Sequence, residues 1–131
     1  MANPFVHIEL NTNNLGAAKE FYTKLFDWKL EEHQMPSGPY TTINVGEGTG
    51  GGMWENTACN GTLPNGIPSH WLAYIHVEDI VASTEKAKEL GGTVVQEIKN
   101  VGDFGALSVI IDPRGAAFAL WQNSNVAEPI S

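Results

Sequence analysis

Phe5-Val6-His7-Ile8-Glu9-Leu10-Asn11-Thr12-Asn13-Asn14-Leu15 decides the fold, because a strand rhythm gives way within it to the start of a helix. Over Phe5 to Leu10, Val6, Ile8 and Leu10 share one face of a strand, while His7, Glu9 and Asn11 share the other. Asn14 stands where an N-cap is wanted, since its short side chain can accept from a first-turn N–H. The segment to about Asp27 then places Ala18, Phe21, Tyr22 and Leu25 at helical spacing, which predicts an amphipathic helix. The same grammar returns 65 residues on: Thr12 falls on Val77, Asn14 on Asp79, Leu15 on Ile80 and Leu25 on Leu90. The second helix is expected from Asp79 to Leu90, with Ile80, Thr84, Ala87 and Leu90 inward and Gly91-Gly92 as a left-handed stop.

Working outward, each helix is followed by three apolar stretches of strand length. They are Trp28 to His33, Tyr40 to Val45 and Gly52 to Trp54 in the first copy, and Thr93 to Ile98, Leu107 to Ile111 and Ala116 to Trp121 in the second. The expected fold class is therefore α+β, built from two tandem βαβββ modules. A four-stranded sheet covered by one helix still has a face that needs a partner, and the second copy is expected to supply it, with a cavity between the two. Residues 1–131 read as one domain: module one at about 4–55, a connector at 56–69, module two at about 70–123, and a tail at 124–131. Gly61, Pro64, Gly66 and Pro68 give the connector its turn-rich composition.

With 7 Lys plus Arg against 15 Asp plus Glu, the net charge of -8 repels phosphate backbones and anionic headgroups. Nucleic acid and membranes are accordingly not expected as partners, and a small-molecule ligand is. No apolar run approaches the roughly 18 residues that span a bilayer. The start Met1-Ala2-Asn3-Pro4 lacks the pattern of a secretory signal, and the one cysteine, Cys59, has no intrachain disulfide partner, so a cytoplasmic location is expected. Asn60-Gly61-Thr62 matches a glycosylation acceptor that has no use without secretion. Gly46-Glu47-Gly48-Thr49-Gly50-Gly51 has the glycine spacing of a dinucleotide loop, but no helix follows to hold a pyrophosphate, so a hairpin loop is expected instead.

The helix text Glu20-Phe21-Tyr22-Thr23-Lys24-Leu25-Phe26-Asp27-Trp28, the late stretch Asp112-Pro113-Arg114-Gly115-Ala116-Ala117-Phe118-Ala119-Leu120-Trp121 and the paired modules together resemble the vicinal oxygen chelate superfamily of glyoxalases, bleomycin resistance proteins and extradiol dioxygenases. The resemblance covers essentially the whole chain. It implies a U-shaped or barrel-like mixed sheet with outer helices, frequent homodimers, and in catalytic members a divalent metal held by His and Glu from the first and fourth strands of both modules. Transferred to this sequence, those positions are His7, Leu72, Ala119 and one near Trp54, with Glu55 beside it. Leu72 and Ala119 have no donor atom, so the metal set implied by the resemblance shrinks to His7 and Glu55, and no cofactor is expected.

Three readings stay open. The first is a small-molecule-binding protein without a complete metal site, in which His7, Glu9, Asn11, Tyr74 and His76 give polar contacts and Trp54, Trp71, Trp121, Tyr40 and Tyr74 are candidates for an aromatic lining. The second is a lyase, isomerase or dioxygenase-like enzyme with His7 as base, oriented by Glu9, or as residual metal ligand. The third is a non-catalytic assembly module. For each of these side chains packing within the core or simple exposure is the plainer alternative, and the sequence does not name a ligand.

Overall fold

The structure, a computed structural model, describes residues 3–35, 38–56, 68–102 and 104–124. Its elements run β1 (Phe5–Thr12), α1 (Leu15–Leu25), β2 (Lys29–Met35), β3 (Gly38–Asn44), β4 (Gly51–Glu55), β5 (His70–His76), α2 (Ile80–Glu89), β6 (Thr93–Val101), β7 (Gly105–Ile111) and β8 (Ala117–Asn123). This is the α+β order read from the sequence, strand, helix and three strands written twice. Cys59, Asn60-Gly61-Thr62, most of the connector and all of the tail but its first residue lie outside the described residues.

The chain divides into two compact units: one from His7 to Leu72, the other from Ala73 onward together with the first six residues. In the first unit the strands are ordered β2-β3-β4-β1. β1 runs parallel to β4, pairing Glu9 with Gly52 and Asn11 with Trp54, while β4–β3 and β3–β2 are antiparallel. The core of this unit is Leu10, Ile43 and Met53, against which Leu15, Ala18, Tyr22 and Trp28 pack. In the second unit the order is β5-β8-β7-β6, with Tyr74 paired to Ala119 across the parallel β5–β8 ladder. Its core is Val77, Ile80, Ala106, Ile110 and Leu120.

Both helices start as their sequences require. The Asn14 side chain accepts from the Ala17 N–H and the Asp79 side chain from the Ala82 N–H, each at 3.0 Å, satisfying donors that a first turn leaves unpaired. At its other end α2 stops at Gly91, whose φ of 99° needs glycine; the Gly91 and Gly92 N–H groups bond back to Lys88 and Ala87. Gly46 and Gly48 also sit at positive φ, in the β3–β4 hairpin, and Gly51 then opens a strand, not a helix.

The helix faces differ from expectation in one respect. Phe21, Leu25 and Leu90, expected inward, are exposed, at 59%, 57% and 69%. Leu25 and Leu90 sit at the helix ends, where the chain is already leaving the sheet. Phe21 lies off the stripe of Leu15, Ala18 and Tyr22 that meets the core and sets its edge-on contact against Tyr22 from outside.

Candidate functional site

Strand alternation puts the side chains of His7, Glu9 and Asn11 on the face of β1 opposite to Leu10. A polar face of a strand ordinarily meets water, yet here Glu9 is 8% exposed and Asn11 4%. Burial of a carboxylate is tolerated only where hydrogen bonds replace its hydration. Three donors do so: Tyr40 Oη gives to Glu9 Oε2 at 3.0 Å, and Trp54 Nε1 and Asn11 Nδ2 give to Glu9 Oε1 at 3.2 Å each. The network extends at both ends. His7 Nε2 lies 2.7 Å from Tyr40 Oη, and Asn56 Nδ2 donates to Asn11 Oδ1 at 3.0 Å. The result is a continuous polar line, Asn56, Asn11, Glu9, Tyr40 and His7, with Trp54 beside it. Burial holds the His7 pKa below its ordinary value, so the imidazole is neutral near neutral pH.

The first unit thus brings His7, Glu9, Asn11 and Trp54 together. Tyr40, expected as one aromatic of the lining but not as a donor to Glu9, and Asn56, absent from the sequence expectation, complete the line. Glu55 is turned elsewhere: its carboxylate accepts the Leu15 N–H at 3.0 Å, at the start of α1. In the second unit Tyr74 and Trp121 are neighbours, with ring centroids 6.3 Å apart, and Trp121 Nε1 gives to Asn123 Oδ1 at 2.8 Å. His76 is half-buried and its backbone is tied to the N-terminal segment, the N–H to Pro4 and the carbonyl to Asn3 Nδ2, both at 2.9 Å.

The strand pairing also settles which residue of β4 answers to Ala119. Glu9 and Tyr74 are counterparts on the first strands of the two copies; Tyr74 faces Ala119, and Glu9 faces Gly52. Gly52, not Trp54, therefore takes the fourth-strand position in module one. Trp54 then answers to Trp121, and Glu55 to Gln122, whose side chain accepts the Ile80 N–H at 2.7 Å just as Glu55 accepts that of Leu15. The shift could have been read from the echo of Met53-Trp54-Glu55-Asn56 in Leu120-Trp121-Gln122-Asn123.

The four positions at which the resemblance implies metal ligands are thus His7, Gly52, Leu72 and Ala119. Only the first carries a donor, so these residues do not fit a resident divalent ion, which needs several N or O side chains converging. At Gly52 the geometry is more specific, because a Cβ built there would collide with the hydroxyl and ring of Tyr40. The phenol from β3 fills the space that a fourth-strand ligand would use. Among the described residues no group of three or more His, Cys, Asp or Glu is placed to hold a metal.

A separate concavity of about 260 Å³ opens within the first unit, lined by Ile8, Trp28, Ile43, Val45, Gly50 and Trp71 among others. Its walls are apolar, and it holds none of the polar line. Trp28 and Trp71 meet edge to face there, with centroids 6.2 Å apart.

The family model described as the Glyoxalase/Bleomycin resistance protein/Dioxygenase superfamily matches residues 5–120. CFP32 of Mycobacterium tuberculosis, named as a glyoxylase, is 34% identical over 126 residues, which make up 88% of this chain and 44% of that protein. The anthracycline biosynthesis protein DnrV of Streptomyces peucetius is 29% identical over 123 residues, 87% of this chain and 45% of its own. The chain thus spans less than half the length of these curated relatives. Among solved structures, methylmalonyl-CoA epimerase from Mycobacterium tuberculosis superposes with a TM-score of 0.64 at 14% identity, covering 96% of this chain and 91% of the epimerase. At that identity the likeness concerns the fold alone.

Proposed function

From the premise that this chain belongs to the glyoxalase/bleomycin resistance protein/dioxygenase superfamily, we propose that it binds a small organic molecule on the polar face of module one and does so without a resident metal. The observation that carries this reading is the buried Glu9 carboxylate, held by Tyr40, Trp54 and Asn11. A polar cluster so fully hydrogen-bonded is costly to desolvate, and a hydrophobic face would stabilise the sheet as well, which favours a binding role over a packing one. His7, Glu9 and Asn11 are its polar contacts and Trp54 its aromatic wall. Tyr74, His76 and Trp121 are proposed as contacts in the second unit, to be tested by their own variants.

The names of the relatives in which anthracycline biosynthesis appears support a ligand with flat aromatic surface. The test is metal analysis of protein purified without a metal-binding tag, followed by a thermal-shift screen of small aromatic compounds with and without divalent ions. Metal-free protein that is stabilised by such compounds, and loses that response in Glu9→Gln, is the expected result. Stoichiometric metal, or compounds acting equally on Glu9→Gln, would overturn it.

A second reading, proton transfer with His7 as base, is favoured by the neutral state that burial gives the imidazole. It predicts exchange of an acidic ligand proton with solvent that His7→Gln abolishes. Homodimerisation belongs to the same proposal and is supported by Phe21, Leu25 and Trp71, which are large, apolar and exposed; sedimentation equilibrium tests it. A cytoplasmic location is likewise proposed. Among the described residues no helix is long and apolar enough to cross a membrane.

A further inference from the structure

The concavity walled by Trp28 and Trp71 lies on the face of β1 that carries Ile8 and Leu10, opposite to the polar line, and module two shows what fits it. Since Gly52 answers to Ala119, the residue before it, Gly51, answers to Phe118. Gly51 faces Ile43 across the β3–β4 ladder as Phe118 faces Ile110 across β7–β8. In module two Phe118 packs against the core that holds Ile110. Module one has no side chain at that place and cannot gain one there, because a Cβ on Gly51 would collide with the carbonyl oxygen of Ile8, a backbone atom that cannot turn aside. Trp28 takes over one wall; its counterpart is Gly92, by the pairing of Lys29 with Asn44 and of Thr93 with Ile111. About 260 Å³ stays open between Ile8, Ile43, Val45 and the two indoles.

We propose that this concavity is a second binding site, which takes the uncharged aromatic ring of a small molecule where module two seats the ring of Phe118. Its size agrees, since a cavity of about 150 Å³ already holds benzene and the remainder admits a short substituent. Its walls agree as well. The indoles of Trp28 and Trp71 stand 80° apart, so a ring that stacks on one presents its edge to the other, and both arrangements are favourable. Tyr22 holds the pair in place: it stacks on Trp28 with centroids 5.7 Å apart and meets Trp71 edge-on at 5.5 Å. Among the described residues no charged side chain lines the concavity, so an ion would lose hydration there without a partner. The site is independent of the polar face and stands or falls without it.

Benzyl alcohol is the probe, titrated into the 15N-tryptophan-labelled chain while the indole N–H signals are followed by NMR. Trp28 and Trp71 are assigned by the peaks missing from Trp28→Phe and Trp71→Phe. Their two signals are expected to shift saturably, whereas cyclohexanol, which is not aromatic, and benzoate, which is charged, move them little. Val45→Phe places a ring of the chain's own in the concavity and should abolish the saturable shift. Trp71→Ala, at a residue already 40% exposed, should weaken the response of Trp28 while the fold is kept, and serves if Val45→Phe does not fold. Shifts confined to Trp54 or Trp121, equal responses to cyclohexanol or benzoate, or wild-type binding by folded Val45→Phe or Trp71→Ala would overturn the site. A change in the Trp28 and Trp71 signals on dilution without any compound would mean that a second copy of the chain fills the concavity, and would overturn the small-molecule occupant.

Discussion

Module one and module two share a backbone and differ in what they place on one face of it. Along the first strand His7, Glu9 and Asn11 are answered by Leu72, Tyr74 and His76. Along the third and fourth, Tyr40 is answered by Leu107 and Gly52 by Ala119, as their shared strand partners require. The one module carries a buried carboxylate with its donors, and the other a Leu, a Tyr and an Ala at its first- and fourth-strand core. Repetition of a scaffold therefore constrains caps and cores tightly and leaves the chemistry of the remaining face open. What is preserved in both is the part that folding needs: the capped helix, and the fourth-strand side chain, Glu55 or Gln122, that reaches back to its first N–H.

If the two cores are equivalent, emptying either should cost the same. Met53, 0% exposed, and Ile110, 1% exposed, are the test positions. Met53→Ala and Ile110→Ala are each expected to lose about 2–5 kcal/mol in urea denaturation. A loss at one and little at the other would break the equivalence.

The paired tryptophans sharpen the difference instead. Trp54 donates to a buried carboxylate and Trp121 to the exposed Asn123. Trp54→Phe is expected to cost about 1–3 kcal/mol, because it leaves an acceptor of Glu9 short of a donor, and Trp121→Phe less than about 1 kcal/mol. Equal costs would mean that the carboxylate does not depend on the indole.

Two buried hydroxyls give a contrast in sign. Ser108 Oγ is 3.0 Å from Thr84 Oγ1 across the α2–β7 contact, whereas the counterpart Thr41 faces α1 where Lys19 stands in place of Thr84, and the Thr41 hydroxyl has no hydrogen-bond partner among the described residues. Thr84→Val should therefore cost about 1–2 kcal/mol, and Thr41→Val should be neutral or stabilising by up to about 1 kcal/mol. Thermal melts of the two variants side by side decide it.

The smallest expected effect is on pH. The folded pKa of His7 is lowered, so on acidification the unfolded chain binds its proton first, near the ordinary value of 6.5, while the folded chain still resists. This contribution to stability is level above that value and is lost as the pH falls from there towards the lowered pKa. His7→Gln should flatten that part of the stability profile. Leu72→Gln, at the position without a titrating group, should leave its shape unchanged.

Most of the scaffold was legible because caps and periodicity are local signals. Asn14 and Asp79, the glycine stop at Gly91 and every strand follow from a few adjacent residues. The site was legible on β1, where alternation alone groups His7, Glu9 and Asn11. It was not legible on β3 and β4, since Tyr40 meets Glu9 only through a pairing register, and a register is a long-range property. A constant spacing between the copies puts Trp54 opposite Ala119 in the comparison, whereas module one reaches its fourth strand two residues sooner. The exposure of Phe21 escaped for a related reason: helical spacing says which residues share a stripe, and the sheet beneath decides how wide that stripe is.

The missing Cβ at Gly52 also sets which substitutions the polar line tolerates. A Cβ there and the Tyr40 ring as placed claim the same volume. A larger residue at 52 is accommodated only if the phenol, at the far end of a rotatable side chain, turns aside, and with it go the hydrogen bond to Glu9 and the contact with His7. Gly52 is therefore a position where a wholly apolar substitution can undo a hydrogen-bond network.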